Sequence, residues 1–86
     1  MLTKLLAVEL ASYNIRVNAI GPHLVKTAFS QPMWADPEAC KSLEASIPLG
    51  RLAEAEDVMR TALFLASETS SYITGQTIFL DGGTLA

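Results

Sequence analysis

Few side chains in this sequence could do chemistry on their own. There is one histidine, His23, and one cysteine, Cys40. A nucleophile or ligand needs partners within reach, and neither residue forms a triad or metal set with its sequence neighbours. His23 therefore reads as a solvated loop residue and Cys40 as an inert thiol on a short helix. Glu54, Glu56 and Asp57 are paired carboxylates by proximity, but a helix N-terminus accounts for them, because its dipole favours negative charge. Asp81-Gly82-Gly83 reads as a strand-ending turn, since no other carboxylates converge on it to hold a metal. Phe29, Met33 and Trp34 cluster in a proline-bounded stretch, where they line an apolar pocket or pack as a lid. No catalytic constellation and no metal site are expected from these residues.

The elements that must position them follow from periodicity. Leu2, Leu5, Leu6, Leu10 and Tyr13 share one helical face, so residues 2–13 are expected to be a helix, stopped by Asn14 in a left-handed conformation. Ile15 to Ile20 is short, β-branched and bounded by Asn14 and Gly21-Pro22, which predicts a strand. Residues 21–50 carry all four prolines and are expected to be an irregular, lid-like excursion. Within it, Asp36-Pro37-Glu38 is a helix start, with a short helix from Pro37 to about Ser46. Ala53 to Ser67 is a second long helix. Val58, Thr61, Ala62, Leu65 and Ala66 form its stripe, and Met59, Leu63 and Phe64 widen it, so burial on more than one side is expected. Gln76 to Leu80 is the closing strand.

Helix, strand, excursion, helix, strand is an α/β order. The long crossover implies two parallel strands, and parallel sheets are covered on both faces. Two parallel strands are not a self-sufficient sheet, so residues 1–86 are expected to be a single partial domain, the C-terminal part of a Rossmann-type doubly wound parallel sheet.

Composition narrows the function. The 86 residues carry nine acids against six bases, for a net charge of −3. The bases are scattered singly, which disfavours nucleic acid. The longest strongly apolar run, Ala62 to Ala66, is far short of the ~20 residues of a spanning helix, so no membrane partner is expected. With no signal-peptide order at the N-terminus, a cytoplasmic location is the default. One cysteine excludes an internal disulfide framework.

The segments Leu2–Ala11, Asn14–Ile20, Pro22 with Thr27 five residues on, Gly50-Arg51, Phe64–Ser67, Ile73–Gln76 and Leu80–Gly83 together resemble the C-terminal portion of a short-chain dehydrogenase/reductase. The resemblance covers almost the whole chain. Val25–Gln31 with Trp34 is further similar to the carbonyl-reductase-like branch.

The resemblance implies an NAD(P)-dependent oxidoreductase acting on a small-molecule carbonyl or alcohol, using NAD or NADP in the intact parent. The family's Gly-rich turn, catalytic serine and Tyr-x-x-x-Lys pair have no counterpart here. Tyr13 is followed four residues on by Val17, and Tyr72 by Gln76. No catalytic residue is carried over, and the chain alone is expected to be inactive and to hold no cofactor. Met1 stands part-way along the helix that would carry the Tyr-Lys pair.

The resemblance does place a cofactor loop. Pro22 would turn the chain from the strand end, the Val25 backbone would meet the nicotinamide carboxamide, and the Thr27 hydroxyl would bond the amide or a phosphate. Phe29, Met33 and Trp34 would form the substrate lid. His23 departs from the family's usual glycine and would be strained if that position needs a positive φ. Ala53 and Ala55 also depart, from a common Gly and Pro. A homo-oligomer is implied through the 53–67 helix, the 2–13 helix and the last strand. The alternative to a piece of an enzyme is a non-catalytic subunit-interaction module that pairs with full-length relatives.

Overall fold

A computed structural model describes residues 1–86. Helix α1 spans Leu2–Leu10 and tightens into a 3-10 turn over Ala11–Tyr13. Asn14 ends it in the left-handed region at φ 59°, where its short polar side chain is tolerated. The face α1 buries takes in only Leu6 and Leu10 of the expected stripe, both half-buried. Ala7 is its buried residue, whereas Leu2, Leu5 and Tyr13 are exposed. The small Ala7 lets the helix backbone come down on Gly75, and Lys4 Nζ donates to the Gly75 carbonyl at 3.1 Å.

Strand β1 covers Ala19–Pro22 and pairs in parallel with β4, Thr77–Leu80, in the register Ala19↔Thr77 to Pro22↔Leu80. The strand expected at Ile15 to Ile20 is thus shifted. Over residues 15–18 one backbone bond, from the Gly75 amide to the Val17 carbonyl at 2.8 Å, is joined by side-chain bonds to the partner segment. Asn18 donates through Nδ2 to the Ile73 carbonyl and accepts from the Gln76 amide, while the Val17 amide donates to Thr74 Oγ1. Gly21 faces Phe79 across the pair, and a Cβ there would stand 2.8 Å from the Phe79 ring.

The excursion is more ordered than its prolines suggest. Strand β2, Val25–Lys26, pairs in parallel with β3, Ala53–Glu54. Between them lie α2, Gln31–Trp34, and α3, Pro37–Ala45, whose N-cap Asp36 accepts from the Ala39 amide at 3.2 Å. Helix α4 spans Ala55–Ala66. Val58, Thr61 and Leu65 are half-buried as the stripe requires, but Met59, Leu63 and Phe64 are exposed. Burial of α4 on more than one side is not realised, because no other element of this chain lies above that face.

The core is correspondingly thin. Five of 86 residues are buried, among them Ala7, Ile47, Leu52 and Ser70. The radius of gyration is 15.6 Å, against about 12 Å for a compact chain of this length. These elements are one edge of a larger layered sheet.

Polar contacts carry much of the long-range order. The Arg16 guanidinium donates to the carbonyls of Leu65 (2.8 Å), Ser67 (3.2 Å) and Ser70 (3.0 Å), and to Ser70 Oγ at 2.9 Å. It caps the C-terminal end of α4, where the last carbonyls lack intrahelical partners and the dipole favours a cation. Ser70 is fully buried under it. Replacing Arg16 by Ala strands these acceptors, and hydrogen bonds to a charged group contribute about 1.5–3 kcal/mol. We expect Arg16→Ala to shift the urea unfolding midpoint by the equivalent of about 2–3 kcal/mol, with Arg16→Lys recovering part. An unshifted midpoint would remove Arg16 from the framework.

Candidate functional site

In an open parallel sheet, ligands bind beyond the carboxyl ends of the strands. Here the chain continues past Pro22, and the His23 amide donates to the Leu80 carbonyl at 3.2 Å. The turn away from the strand therefore falls after His23, one residue beyond where Pro22 alone would put it. His23 is at an ordinary negative φ, since Asn14 is the one non-glycine residue with a positive value. Histidine at this position carries no backbone strain.

Two clefts meet at His23 and Leu24. The smaller, about 190 Å³, is lined by Val25, Thr27, Ser30, Met33 and Trp34, with Leu43 and Leu52 behind them. It gathers four of the six residues expected to touch cofactor or substrate: Val25, Thr27, Met33 and Trp34. Pro22 stands exposed at the end of β1 outside this cleft. Phe29 is 98% exposed and points to no part of it, because the turn before α2 carries it outward.

Ser30 organises the smaller cleft, and nothing in the sequence pattern marked it. Its Oγ donates to the Val25 carbonyl at 2.6 Å and accepts from the Thr27 amide and from Trp34 Nε1, both at 3.0 Å. A hydroxyl has one proton and two lone pairs, so Ser30 Oγ is saturated. Thr27 Oγ1 accepts from the Ser30 amide at 3.2 Å. The Thr27 hydroxyl in turn donates to Ser30 Oγ at 3.2 Å, at the edge of the cleft that both residues line. The Lys26 ammonium lies 5.7 Å from the Trp34 ring centroid, a cation–π distance that steadies the indole from outside.

The larger cleft, about 340 Å³, is bounded by His23, Arg51, Asp57, Phe79 and the Asp81–Gly83 turn. Its carboxylates are already committed. Asp81 accepts from the Gly83 and Leu85 amides at 3.0 and 3.2 Å, which makes the terminal turn a backbone structure. Gly82 has φ +60°, and a Cβ there would meet Ile47 at 2.6 Å. Asp57 receives a two-pronged bond from Arg51, at 2.9 and 3.1 Å, and accepts the Glu54 amide at 2.7 Å as the first turn of α4 closes. Glu56 pairs instead with Arg60 at 2.7 Å, one helical turn on. No group of three or more His, Cys, Asp or Glu side chains could hold a metal ion. Cys40 is half-buried on α3. No helix is long and apolar enough to cross a membrane.

The cofactor implied by the family can be tested against the smaller cleft. A nicotinamide carboxamide or a phosphate oxygen is a hydrogen-bond acceptor. The Thr27 hydroxyl at the cleft edge and the apolar Val25, Met33 and Leu52 suit such a planar, amide-bearing group. The residues present fit it.

Parallel strands joined by a long helical crossover, with a cleft at their carboxyl ends, are the architecture of part of a Rossmann-like α/β sheet. A family model described as enoyl-(acyl carrier protein) reductase matches residues 1–84, and the chain belongs to the short-chain dehydrogenase/reductase family. L-xylulose reductase from Bos taurus is 52% identical over 85 residues, covering 99% of this chain and 35% of that protein. Dehydrogenase/reductase SDR family member 4 from Homo sapiens is 49% identical over 83 residues, covering 96% of this chain and 30% of that protein. The solved Pseudomonas aeruginosa RhlG/NADP active-site complex superposes with a TM-score of 0.90 at 35% identity, covering 99% of this chain and 34% of that one. The chain thus spans about a third of the length of the proteins it matches.

The Arg51–Asp57 fork makes a pH prediction. The Arg51 guanidinium, and secondly the Glu54 amide, hold the Asp57 carboxyl down to about 2, while Asp57 raises Arg51 above its ordinary value. An aspartate lowered in the folded state stabilises above its unfolded value of about 3.9, and that contribution is lost as pH falls through the folded value. Helicity at the start of α4 should therefore decline between about pH 4 and pH 2. Circular dichroism followed across this range checks it, and Asp57→Asn should lack that step. A titration identical in the two proteins would contradict the assignment.

Proposed function

We propose that these residues form the nicotinamide-side portion of an NAD(P)-dependent reductase that acts on a small-molecule carbonyl or alcohol. The observation that carries this reading is the Thr27 hydroxyl. It lines the smaller cleft beyond the carboxyl end of the β1–β4 pair, and its contact within the turn, to Ser30 Oγ at 3.2 Å, is a long one that a ligand acceptor could replace. The relatives support it, being named as reductases, one of the matched structures being an NADP complex.

The bound nicotinamide would supply the hydride for the carbonyl. The chain's own residues would hold and orient it. Thr27 would donate to an acceptor of the carboxamide or phosphate, the Val25 backbone would line the ring's edge, and Met33 and Trp34 would wall off water. Phe29 enters such a site only if the turn before α2 closes. The family's serine and Tyr-x-x-x-Lys pair have no counterpart among these residues, so the 86 residues alone should not turn over substrate.

A hybrid tests this: a full-length relative such as bovine L-xylulose reductase, with its matching third replaced by this chain. The hybrid should bind NADPH or NADH and oxidise it at 340 nm with a carbonyl panel, while the isolated chain should show no turnover. Thr27→Val in the hybrid should weaken cofactor binding by about 2- to 12-fold, the worth of one hydrogen bond. An unchanged dissociation constant would take Thr27 out of the site.

A second reading is favoured by the unpartnered surface. Met59, Leu63 and Phe64 on α4 and Phe79 on β4 are exposed together with the open strand edges. Such edges template pairing with another chain. This would make the chain a subunit-interaction module that associates with full-length relatives, or with itself, through α1, α4 and β4. Co-elution with a full-length relative, without gain of activity, favours it over the first reading.

A further inference from the structure

We infer that Ser30 is a positioning residue of the cofactor loop, setting both the direction of the Thr27 hydroxyl and the place of the Trp34 indole. The inference rests on the reading of the smaller cleft given above. Three separate elements converge on one oxygen. The Val25 carbonyl belongs to β2, the Thr27 amide to the turn, and Trp34 Nε1 to the end of α2. These three match a hydroxyl's one proton and two lone pairs, and the Thr27 hydroxyl itself stands 3.2 Å from the same oxygen, so Ser30 Oγ faces directly the group it is inferred to aim. The reciprocal bond from the Ser30 amide to Thr27 Oγ1 closes the turn.

Removing the Ser30 oxygen has two consequences. Trp34 Nε1 keeps only its longer contact with the Thr27 carbonyl, 3.3 Å, so the indole is released from the cleft wall. The Thr27 amide and Val25 carbonyl lose their partner, so the turn that aims the Thr27 hydroxyl loosens. Neither effect involves contact between Ser30 and a ligand. Ser30 is half-buried beneath the turn and acts through its neighbours.

Trp34 is the sole tryptophan, so its emission reports the Ser30 bond directly in the 86-residue chain. Ser30→Ala should raise acrylamide quenching of Trp34, and Ser30→Thr, which keeps the hydroxyl, should restore it. In the hybrid, titration with NADPH and NADH should show the Ser30→Ala dissociation constant raised about tenfold, as expected for the loss of two neutral hydrogen bonds, with Ser30→Thr within about twofold of the parent. The cofactor KM should rise by more than kcat falls. Should Ser30→Ala not fold, Trp34→Phe removes one partner alone and should weaken binding about threefold. Unchanged quenching in Ser30→Ala with unchanged cofactor affinity in Ser30→Ala, or unchanged affinity in Trp34→Phe where Ser30→Ala does not fold, overturns the inference while leaving the site in place. A hybrid that binds neither cofactor overturns the reading of the site, and this inference with it.

Discussion

The guanidinium of Arg16 lies where three segments meet, and the register of the sheet depends on it. It closes the carbonyl end of α4, covers the buried Ser70, and stands three residues before β1 begins. From there the Asn18 and Thr74 side chains, with the Gly75 amide on the Val17 carbonyl, carry the pairing forward until the strand ladder begins at Ala19. Since a parallel register slip would move every residue to the wrong face, this polar splice fixes where β1 ends. The position of His23 and Leu24, and of the two clefts they share, follows from it.

Beyond the strand ends, order again comes from hydrogen-bond saturation more than from apolar burial. With only five residues buried, the cleft walls are held by Ser30, by Asp81 in the terminal turn, and by Asp57 at the start of α4. Each uses its oxygens on backbone amides or on a neighbouring side chain. The consequence for function is selective. Where every polar atom is used, as at Asp57 and Asp81, a group is framework. Where the contact is long and at a cleft edge, as for the Thr27 hydroxyl on Ser30 Oγ at 3.2 Å, a ligand could compete for it.

Much of this was legible in the residues. Asn14 stops α1 in the left-handed region, and Asp36 caps α3, because both signals are local and involve backbone atoms within a few positions. The parallel pairing of the last strand with the first was legible from the length of the crossover. What was hidden depends on distant partners. The β2–β3 pair has only two residues on each side, too few for a periodic signal. Where β1 begins is set by bonds of residues 17 and 18 to residues 73–76, far along the chain, through the Asn18 and Thr74 side chains and the backbone of Ile73, Gly75 and Gln76. Tyr13, Leu2 and Leu5 satisfy a helical stripe that this chain does not bury, since Ala7 gives the closer approach to Gly75. Of the expected site residues, Val25, Thr27, Met33 and Trp34 meet at one cleft, whereas Phe29 and Pro22 lie outside it. Ser30 escaped notice because a serine three residues from a threonine is an ordinary turn until the indole is seen to reach it.

The central claim is that the Thr27 hydroxyl faces a nicotinamide. The most direct measurement is an intermolecular nuclear Overhauser effect in the hybrid, with the Thr27 methyl group selectively labelled and NADPH bound. The account predicts cross-peaks from the Thr27 methyl to nicotinamide ring or carboxamide protons, and their absence for a methyl on the far side of the sheet edge such as Val58. A cofactor that binds with full occupancy and shows no contact to Thr27 would contradict it.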